Sequence, residues 1–165
     1  MKEVDELDID IIRILSEDST LKLRPIAKEL NKSPTTINKH IKDLEEQDII
    51  KAYTINIDYE NLGYDIIALI ELTISKGKMI EVERDIAKDP HIFGVYDITG
   101  EYDAIILARF KTRKDLNAFV KNLNSYEFVM RTNTHLVLNV IKERTDFKEL
   151  IDSDRSKLDD QNSKI

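Results

Sequence analysis

The chain has 165 residues, of which 41% are hydrophobic and 35% charged, with four Gly, three Pro and no Cys. The absence of Cys excludes disulfides, thiolate metal sites and cysteine nucleophiles. No apolar run approaches the roughly 18 residues that cross a bilayer, and the acidic start MKEVDELDID lacks a secretory signal pattern. We therefore expect a cytoplasmic protein that has no membrane partner.

The net charge of -7 hides a local excess of positive charge. Between residues 22 and 42 a single acid, Glu29, stands among six basic residues, which are Lys22, Arg24, Lys28, Lys32, Lys39 and Lys42. A basic run is as often a solvated face as a binding site, so charge alone leaves both interpretations open. The hydrophobic pattern of the same stretch distinguishes them.

The N-terminal third has the apolar spacing of three helices. Apolar residues recur at helical intervals between Leu7 and Leu15 and predict a first helix over about 5–16. A second helix is predicted over about 23–30, with Pro25 tolerated in its first turn. A very short turn follows, so the next helix must start at once.

The third helix has a clear start and end. Ser33 is an N-cap candidate and Pro34 is favoured at the first helical position. The helix should end near Asp48, which can adopt the left-handed conformation usual for Gly. Its apolar face is formed by Ile37, Ile41 and Leu44.

The two helices over residues 22–50 have the arrangement of a helix-turn-helix, whose second helix enters the DNA major groove. Residues near the start of that helix would meet base edges, and basic residues around it would hold phosphates. The predicted DNA-binding residues are Arg24, Lys28, Ser33, Thr35, Thr36, Asn38, Lys39 and Lys42. Ser33 would also suit its position as a cap without any DNA.

Alternating apolar residues follow the third helix. Tyr53, Ile55 and Ile57 predict a strand over 49–57, which would serve either as a wing or as a hinge-side strand between domains. The first domain is therefore predicted to span 1–57, with a linker over 58–63.

Residues 64–145 alternate between strand and helix patterns. Strands are predicted over 66–74, 92–99, 102–110 and 129–141, with helices marked by 79–87 and 116–123. This β-α-β-β-α-β order predicts an α+β, ferredoxin-like domain whose helices cover one face of an antiparallel sheet. The polar tail over 146–165 is expected to be partly disordered, from Asp152 onward.

Several motifs in this order resemble the Lrp/AsnC (leucine-responsive/asparagine-responsive) family of transcription regulators. They are LDIDIIRIL at 7–15, SPTTINKHIKDLEEQDIIKAYTINID at 33–58, GY at 63–64, TGEYDAI at 99–105 and TNTHLVL at 132–138. The resemblance implies a winged helix-turn-helix followed by a sensor domain of the RAM type. It also implies double-stranded DNA as a partner, a homodimer that assembles into tetramers or octamers, and an amino acid or close analogue bound between sensor domains.

The resemblance places the effector at the turn after the second strand and on the last strand. The implied residues are Thr99, Gly100, Glu101, Tyr102, Asp103, Thr132 and Thr134. An amino acid needs a carboxylate for its ammonium group and donors for its own carboxylate, and this set offers both. The alternative is a structural hairpin turn in which Gly100 serves backbone geometry and Tyr102 packs in an interface.

Three residues depart from the family pattern. His40 stands where relatives commonly carry Arg, Asp43 where they carry a basic residue, and Asp48 where they carry Gly. Loss of the Arg removes one expected DNA contact, and Asp43 would repel phosphate if it faced DNA. We therefore expect DNA affinity to depend on several subunits binding together.

An enzyme is not predicted. His40, His91 and His135 lie in different elements without metal-ligand spacing, and no phosphate-binding glycine loop or nucleophile motif occurs. We therefore predict no catalytic residue, no cofactor and no metal. The remaining alternative is an amino-acid-binding sensor module whose helical domain mediates protein contacts instead of binding DNA.

Overall fold

The structure is a computed structural model that describes residues 3–75, 77–143 and 149–153. Contacts divide the described residues into two compact units, one formed by those up to 56 together with those from 142 onward, and the other by those within 57–141. Among the described residues, no helix is long and apolar enough to cross a membrane.

The first unit contains three helices: α1 (Glu6–Glu17), α2 (Leu23–Glu29) and α3 (Pro34–Glu46). α1 begins with a capping box, in which the amides of Asp5 and Asp8 each donate to the other residue's carboxylate, at 3.0 and 2.9 Å.

The predicted start and end of α3 are both confirmed. The Ser33 hydroxyl accepts a hydrogen bond from the amide of Thr36 at 3.0 Å, which makes it the N-cap. Asp48 has a φ of 56°, so it adopts the left-handed conformation expected after the helix.

One small apolar core holds the three helices together. Ile11 of α1, Ile26 of α2, and Ile37 and Leu44 of α3 are fully or almost fully buried in it. Ile41 packs against this core from its edge. The predicted apolar face of α3 is therefore the face that seats the helix on α1 and α2.

The strand predicted over 49–57 is wrong for this chain. Residues 51–58 form no helix or strand, and the side chains of Tyr53 and Ile55 are exposed. Alternating apolar residues form a strand only when a neighbouring strand accepts their backbone hydrogen bonds. Among the described residues of this chain no such neighbour pairs with them.

The second unit has the predicted β-α-β-β-α-β order. Its elements are β1 (Ile66–Ile74), α4 (Met79–Ile86), β2 (Ile92–Asp97), β3 (Ala104–Phe110), α5 (Arg113–Leu123) and β4 (Val129–Leu136). The strands pair antiparallel in the order β2-β3-β1-β4. This is the ferredoxin-like topology that the sequence predicts.

Alternate residues of the central strands form the core of the second unit. Ile70 and Leu72 of β1 and Ile106 of β3 are fully buried against Ile86 of α4 and Leu123 of α5. Since residues of both helices pack against the same set of alternate strand positions, both helices cover the same face of the sheet.

Three strand ends differ from prediction. β4 ends at Leu136 and not at 141, because its neighbour β1 begins at Ile66 and offers no further partners. The last amide of this segment that bonds to β1 is that of Val137, which donates to the Ile67 carbonyl at 2.9 Å. Strands β2 and β3 are shorter than predicted, since residues 98–103 form the turn between them.

The polar tail lies mostly outside the described residues. Residues 149–153 are helical, and the Arg13 Nε donates to the Asp152 carboxylate at 3.0 Å. The disorder predicted from Asp152 onward otherwise concerns residues 154–165, which are not described.

Candidate nucleic-acid interface and sensor turn

The predicted DNA-reading residues lie on the first two turns of α3 and at its cap. Ser33, Thr35 and Lys39 are exposed, and Thr36 and Asn38 are half-buried. The Thr36 and Ser33 hydroxyl oxygens are 2.8 Å apart and share a hydrogen bond, so Thr36 takes part in the cap as well. Thr35, Asn38 and Lys39 therefore have the side chains most available to base edges.

The basic residues around α3 have no acidic partner among the residues that the structure describes. All six are exposed, and within the part of the chain that the structure describes none makes an ion pair. They are Lys22, Arg24, Lys28, Lys32, Lys39 and Lys42. Unpaired, exposed cations keep their full charge for phosphates, which supports the interpretation of this run as a binding face.

His40 faces inward, toward α1. Its Nδ1 donates to the Asp8 carboxylate at 2.6 Å, and Asp5 lies 3.9 Å from the same nitrogen. Asp8 is only 3% exposed. The side chain at this position of α3 thus links α3 to α1, 32 residues apart in the sequence.

The sensor turn over 99–103 is largely exposed. Gly100 has a φ of 135°, a conformation that side-chain-bearing residues rarely adopt, which explains the glycine. The Glu101 carboxylate accepts from the Arg131 guanidinium at 3.3 Å, and that guanidinium lies 5.4 Å from the centre of the Tyr102 ring. Arg131, which the sequence analysis does not include, is therefore part of the turn's surroundings.

Asp103 is held by the end of β1. Its carboxylate accepts from the Ile74 amide at 2.7 Å, and its own amide donates to the Leu72 carbonyl at 2.8 Å. Its carbonyl accepts from the Ile98 amide at 2.9 Å. These three bonds give Asp103 a structural role in the turn.

Thr132 and Thr134 lie on the helix-covered face of the sheet. They pair directly with Leu72 and Ile70, whose side chains point into the core. The Thr132 hydroxyl donates to the Asn124 side chain at 3.0 Å. Arg131 is the preceding residue on the strand, so its side chain projects toward the opposite face.

A carboxylate missed by the sequence analysis lies near the turn. Burial first, and then the charges of Asp97 and Asp103, raise the pKa of Glu83 on α4. One of its carboxylate oxygens is buried and has no hydrogen-bond partner among the described residues. No local pattern could reveal this group, because its neighbours are distant in the sequence.

Two family models match the chain. The model described as winged helix-turn-helix DNA-binding matches residues 4–51, and the model described as Lrp/AsnC ligand binding domain matches residues 67–147. The first covers α1 to α3, and the second contains every strand of the sheet except the first residue of β1.

Relatives match over nearly their whole length. An uncharacterized HTH-type transcriptional regulator of Pyrococcus abyssi is 50% identical over 85% of this chain and 95% of its own. The HTH-type transcriptional regulator FL11 of Pyrococcus furiosus is 39% identical over 87% and 95%. These relatives are transcriptional regulators and not enzymes.

Solved structures share the fold. AsnC of Escherichia coli has a TM-score of 0.82 at 22% identity, covering 88% of this chain and 99% of that one. A transcriptional regulator of Neisseria meningitidis, solved as a complex with L-Met, has a TM-score of 0.80 at 25% identity, covering 90% and 99%. With a winged helix-turn-helix, a ligand-binding domain and close relatives that all agree, the chain belongs to the Lrp/AsnC family of transcriptional regulators.

Proposed function

We propose that the chain binds double-stranded DNA by placing α3 in the major groove and regulates transcription in response to an amino acid. The observation that carries the DNA-binding part is the set of exposed cations around a capped helix, none of which pairs with an acid in the described ranges of the chain. Each phosphate that they neutralise releases counterions, so binding should weaken steeply with salt. Because such a regulator must reach the DNA that it binds, we also propose that the chain acts in the cytoplasm.

The predicted DNA-binding residues fall into three groups, which read bases, hold phosphates or cap the helix. Thr35, Asn38 and Lys39 carry the groups that discriminate base edges, with Asn suited to adenine and Lys to guanine. Arg24, Lys28 and Lys42 would hold phosphates and set the position of the helix without reading sequence. Ser33 and Thr36 contribute mainly through the cap that orients the amides at the start of α3.

A gel-shift titration on DNA from the protein's own promoter tests this assignment. The logarithm of the affinity should fall linearly with the logarithm of salt concentration. Lys28→Ala should weaken binding to every sequence alike, whereas Asn38→Ala should weaken the promoter complex selectively. If both variants lose as much affinity for competitor DNA as for promoter DNA, the assignment of Asn38 to base reading is wrong. If the parent shows no preference for promoter DNA, a sensor that contacts proteins is favoured instead.

We also propose that the turn over 99–103 binds the effector. The family's ligand-binding domain covers this turn, and the L-Met complex of the Neisseria relative supports an amino acid as the ligand class. Glu101 offers an exposed carboxylate for an ammonium group, and Arg131 offers a guanidinium for a carboxylate. Gly100 leaves the space beside the backbone open, with no atom within 4 Å of an added Cβ.

A thermal-shift screen of amino acids tests the effector. A ligand that binds only the folded protein raises its stability, by about 2.7 kcal/mol at 100 times its dissociation constant. Removing either charge of the best ligand, as its amide or as its deaminated acid, should abolish the shift. Glu101→Gln should reduce it while leaving DNA binding without effector unchanged. If the ligand raises the melting temperature of Glu101→Gln as much as that of the parent, the effector does not bind at Glu101.

Finally, we propose that the chain acts as a homodimer that assembles further. Paired recognition helices would then meet successive major-groove turns, roughly 34 Å apart. An effector bound between sensor domains would change this spacing and so couple metabolite level to transcription. Light scattering with and without the effector identified above measures the assembly, and no change in either mass or operator affinity would reject the coupling.

A further inference from the structure

We propose that Asp5, Asp8 and His40 form a binding site for one divalent transition-metal ion of the Zn²⁺ or Co²⁺ class. One ligand atom from each residue lies within 4.8 Å of the other two. Imidazole nitrogen and carboxylate oxygen are both ligands of these ions. The site joins the start of α1 to the middle of α3 within the first unit, whereas the turn over 99–103 belongs to the second unit.

The distances suit an ion after small side-chain movements. His40 Nδ1 lies 2.6 Å from Asp8 Oδ1 and 3.9 Å from Asp5 Oδ1. Two ligands on a tetrahedral ion with bonds of about 2.0–2.1 Å stand roughly 3.3 Å apart. The first distance is about 0.7 Å shorter than this and the second about 0.6 Å longer, and all three ligand atoms lie within 4.8 Å of one another, so side-chain rotations on the order of 1 Å bring them to the ligand geometry.

The surroundings hold two of the ligands and leave the third accessible. The side chains of Asp8 and His40 are 4% and 14% exposed, whereas that of Asp5 is 48% exposed. Packing of α1 on α3 therefore fixes the first two, and an ion with its completing water can enter beside the third. The Asp5 amide bonds to Asp8 Oδ2, so Asp8 Oδ1 can bind an ion while that capping bond stays in place.

Binding displaces the proton from His40 Nδ1, which is now shared with Asp8. In a neutral ring that proton moves to Nε2, and in a doubly protonated ring it leaves for solvent, so in both cases a neutral imidazole binds the metal through the Nδ1 lone pair. Two carboxylates, a neutral imidazole and a divalent ion sum to zero charge, which offsets the cost of burying them. An Arg, common in the family at this position, can neither lose its proton nor donate a lone pair, so His is the residue that makes the site possible.

Titration of the full, tag-free chain with Co²⁺ tests the proposal, after prior treatment with chelator. Visible absorption should reach its plateau at about one equivalent, and Zn²⁺ should displace the signal. Asp5→Asn keeps the N-cap of α1, because Asn caps as well as Asp, but removes a charged ligand. Its Co²⁺ affinity should fall at least about tenfold.

Two further variants make the outcome decisive. His40→Asn should lose the absorption band altogether. His135→Asn is the matched control, since that imidazole contacts a single carboxylate, Glu71, at 3.0 Å in the other unit, and it should bind Co²⁺ like the parent. The proposal is overturned if the folded parent binds no stoichiometric Co²⁺, or if its affinity is unchanged in both Asp5→Asn and His40→Asn.

Discussion

Replacing Asp8 by Ala removes the only buried charged side chain found among the described residues, at the contact between α1 and the reading helix. The variant loses the charge-assisted hydrogen bond from His40, a type of bond that contributes about 1.5–3 kcal/mol. It also loses half of the capping box of α1, at about 1 kcal/mol. We therefore expect the first unit to lose about 3 kcal/mol of stability.

Hydrogen exchange measures this loss for each unit separately, which a single unfolding transition of a two-unit chain does not. Chelator is added so that no metal ion joins Asp8 to His40 and only their hydrogen bond contributes. The slowest amides of α1 to α3 should then exchange roughly 100-fold faster in Asp8→Ala than in the parent. Amides of β1 and β3 in the second unit should keep their rates and serve as an internal control.

A matched variant tests whether burial gives the pair its strength. His135 contacts Glu71 with side chains that are 54% and 22% exposed, so His135→Ala should cost less than about 1 kcal/mol. If Asp8→Ala lowers the free energy of unfolding by no more than His135→Ala does, the buried bond between Asp8 and His40 does not stabilise the contact of α3 with α1.

Three other predictions concern the cap of α3, one of the cations near it and the buried carboxylate of α4. Ser33→Ala should destabilise α3 by about 1 kcal/mol in thermal unfolding, because the Thr36 amide loses its cap. Lys42→Ala should make the log-log salt dependence of DNA affinity shallower by about one unit, as expected for one phosphate contact. Glu83→Gln should stabilise the fold near neutral pH in denaturant titrations. Since the pKa of Glu83 is raised, its charged form costs stability above that pKa, and the cost disappears as pH falls below the ordinary value of 4.5.

Each of these has a clear contrary result. An unchanged melting temperature in Ser33→Ala would mean that the cap bond is replaced by water at no cost. An unchanged salt slope in Lys42→Ala would remove that residue from the phosphate contacts. A Glu83→Gln variant whose stability relative to the parent does not vary with pH would show that burial of this carboxylate carries no penalty.

The elements that the sequence predicts well are those whose signals are local. The spacing of Ile37, Ile41 and Leu44 predicts α3, and Ser33 and Asp48 mark its ends through their own backbone chemistry. In the second unit, alternating β-branched residues and two amphipathic helices are sufficient to give the order of elements. Ferredoxin-like topology then follows from that order.

The elements that the sequence predicts poorly depend on a neighbour. Alternation at 49–57 resembles a strand, but pairing requires a partner, and none among the described residues of this chain pairs with it. The apolar alternation past Leu136 continues to Ile141, yet the neighbouring strand β1 starts at Ile66 and supplies no further partners. Hydrophobic pattern sets which residues can form a strand, and the adjacent strand sets its length.

The same limit applies to the candidate sites. The family motif identifies Gly100 to Asp103, but it does not indicate that the Asp103 carboxylate bonds to the Ile74 amide or that Arg131 lies beside Glu101. The link between Asp8 and His40 spans 32 residues and has no local signature. Contacts between distant segments form only when the fold brings them together.

The central claim, that α3 reads a DNA sequence, is tested most directly by the ratio of affinities for promoter DNA and for scrambled DNA of equal length at one salt concentration. We predict a ratio on the order of 10³ or more for the parent chain. Asn38→Ala should lower affinity for the promoter by about 10-fold or more and leave affinity for scrambled DNA unchanged. Equal affinity of the parent for both DNAs would contradict the claim.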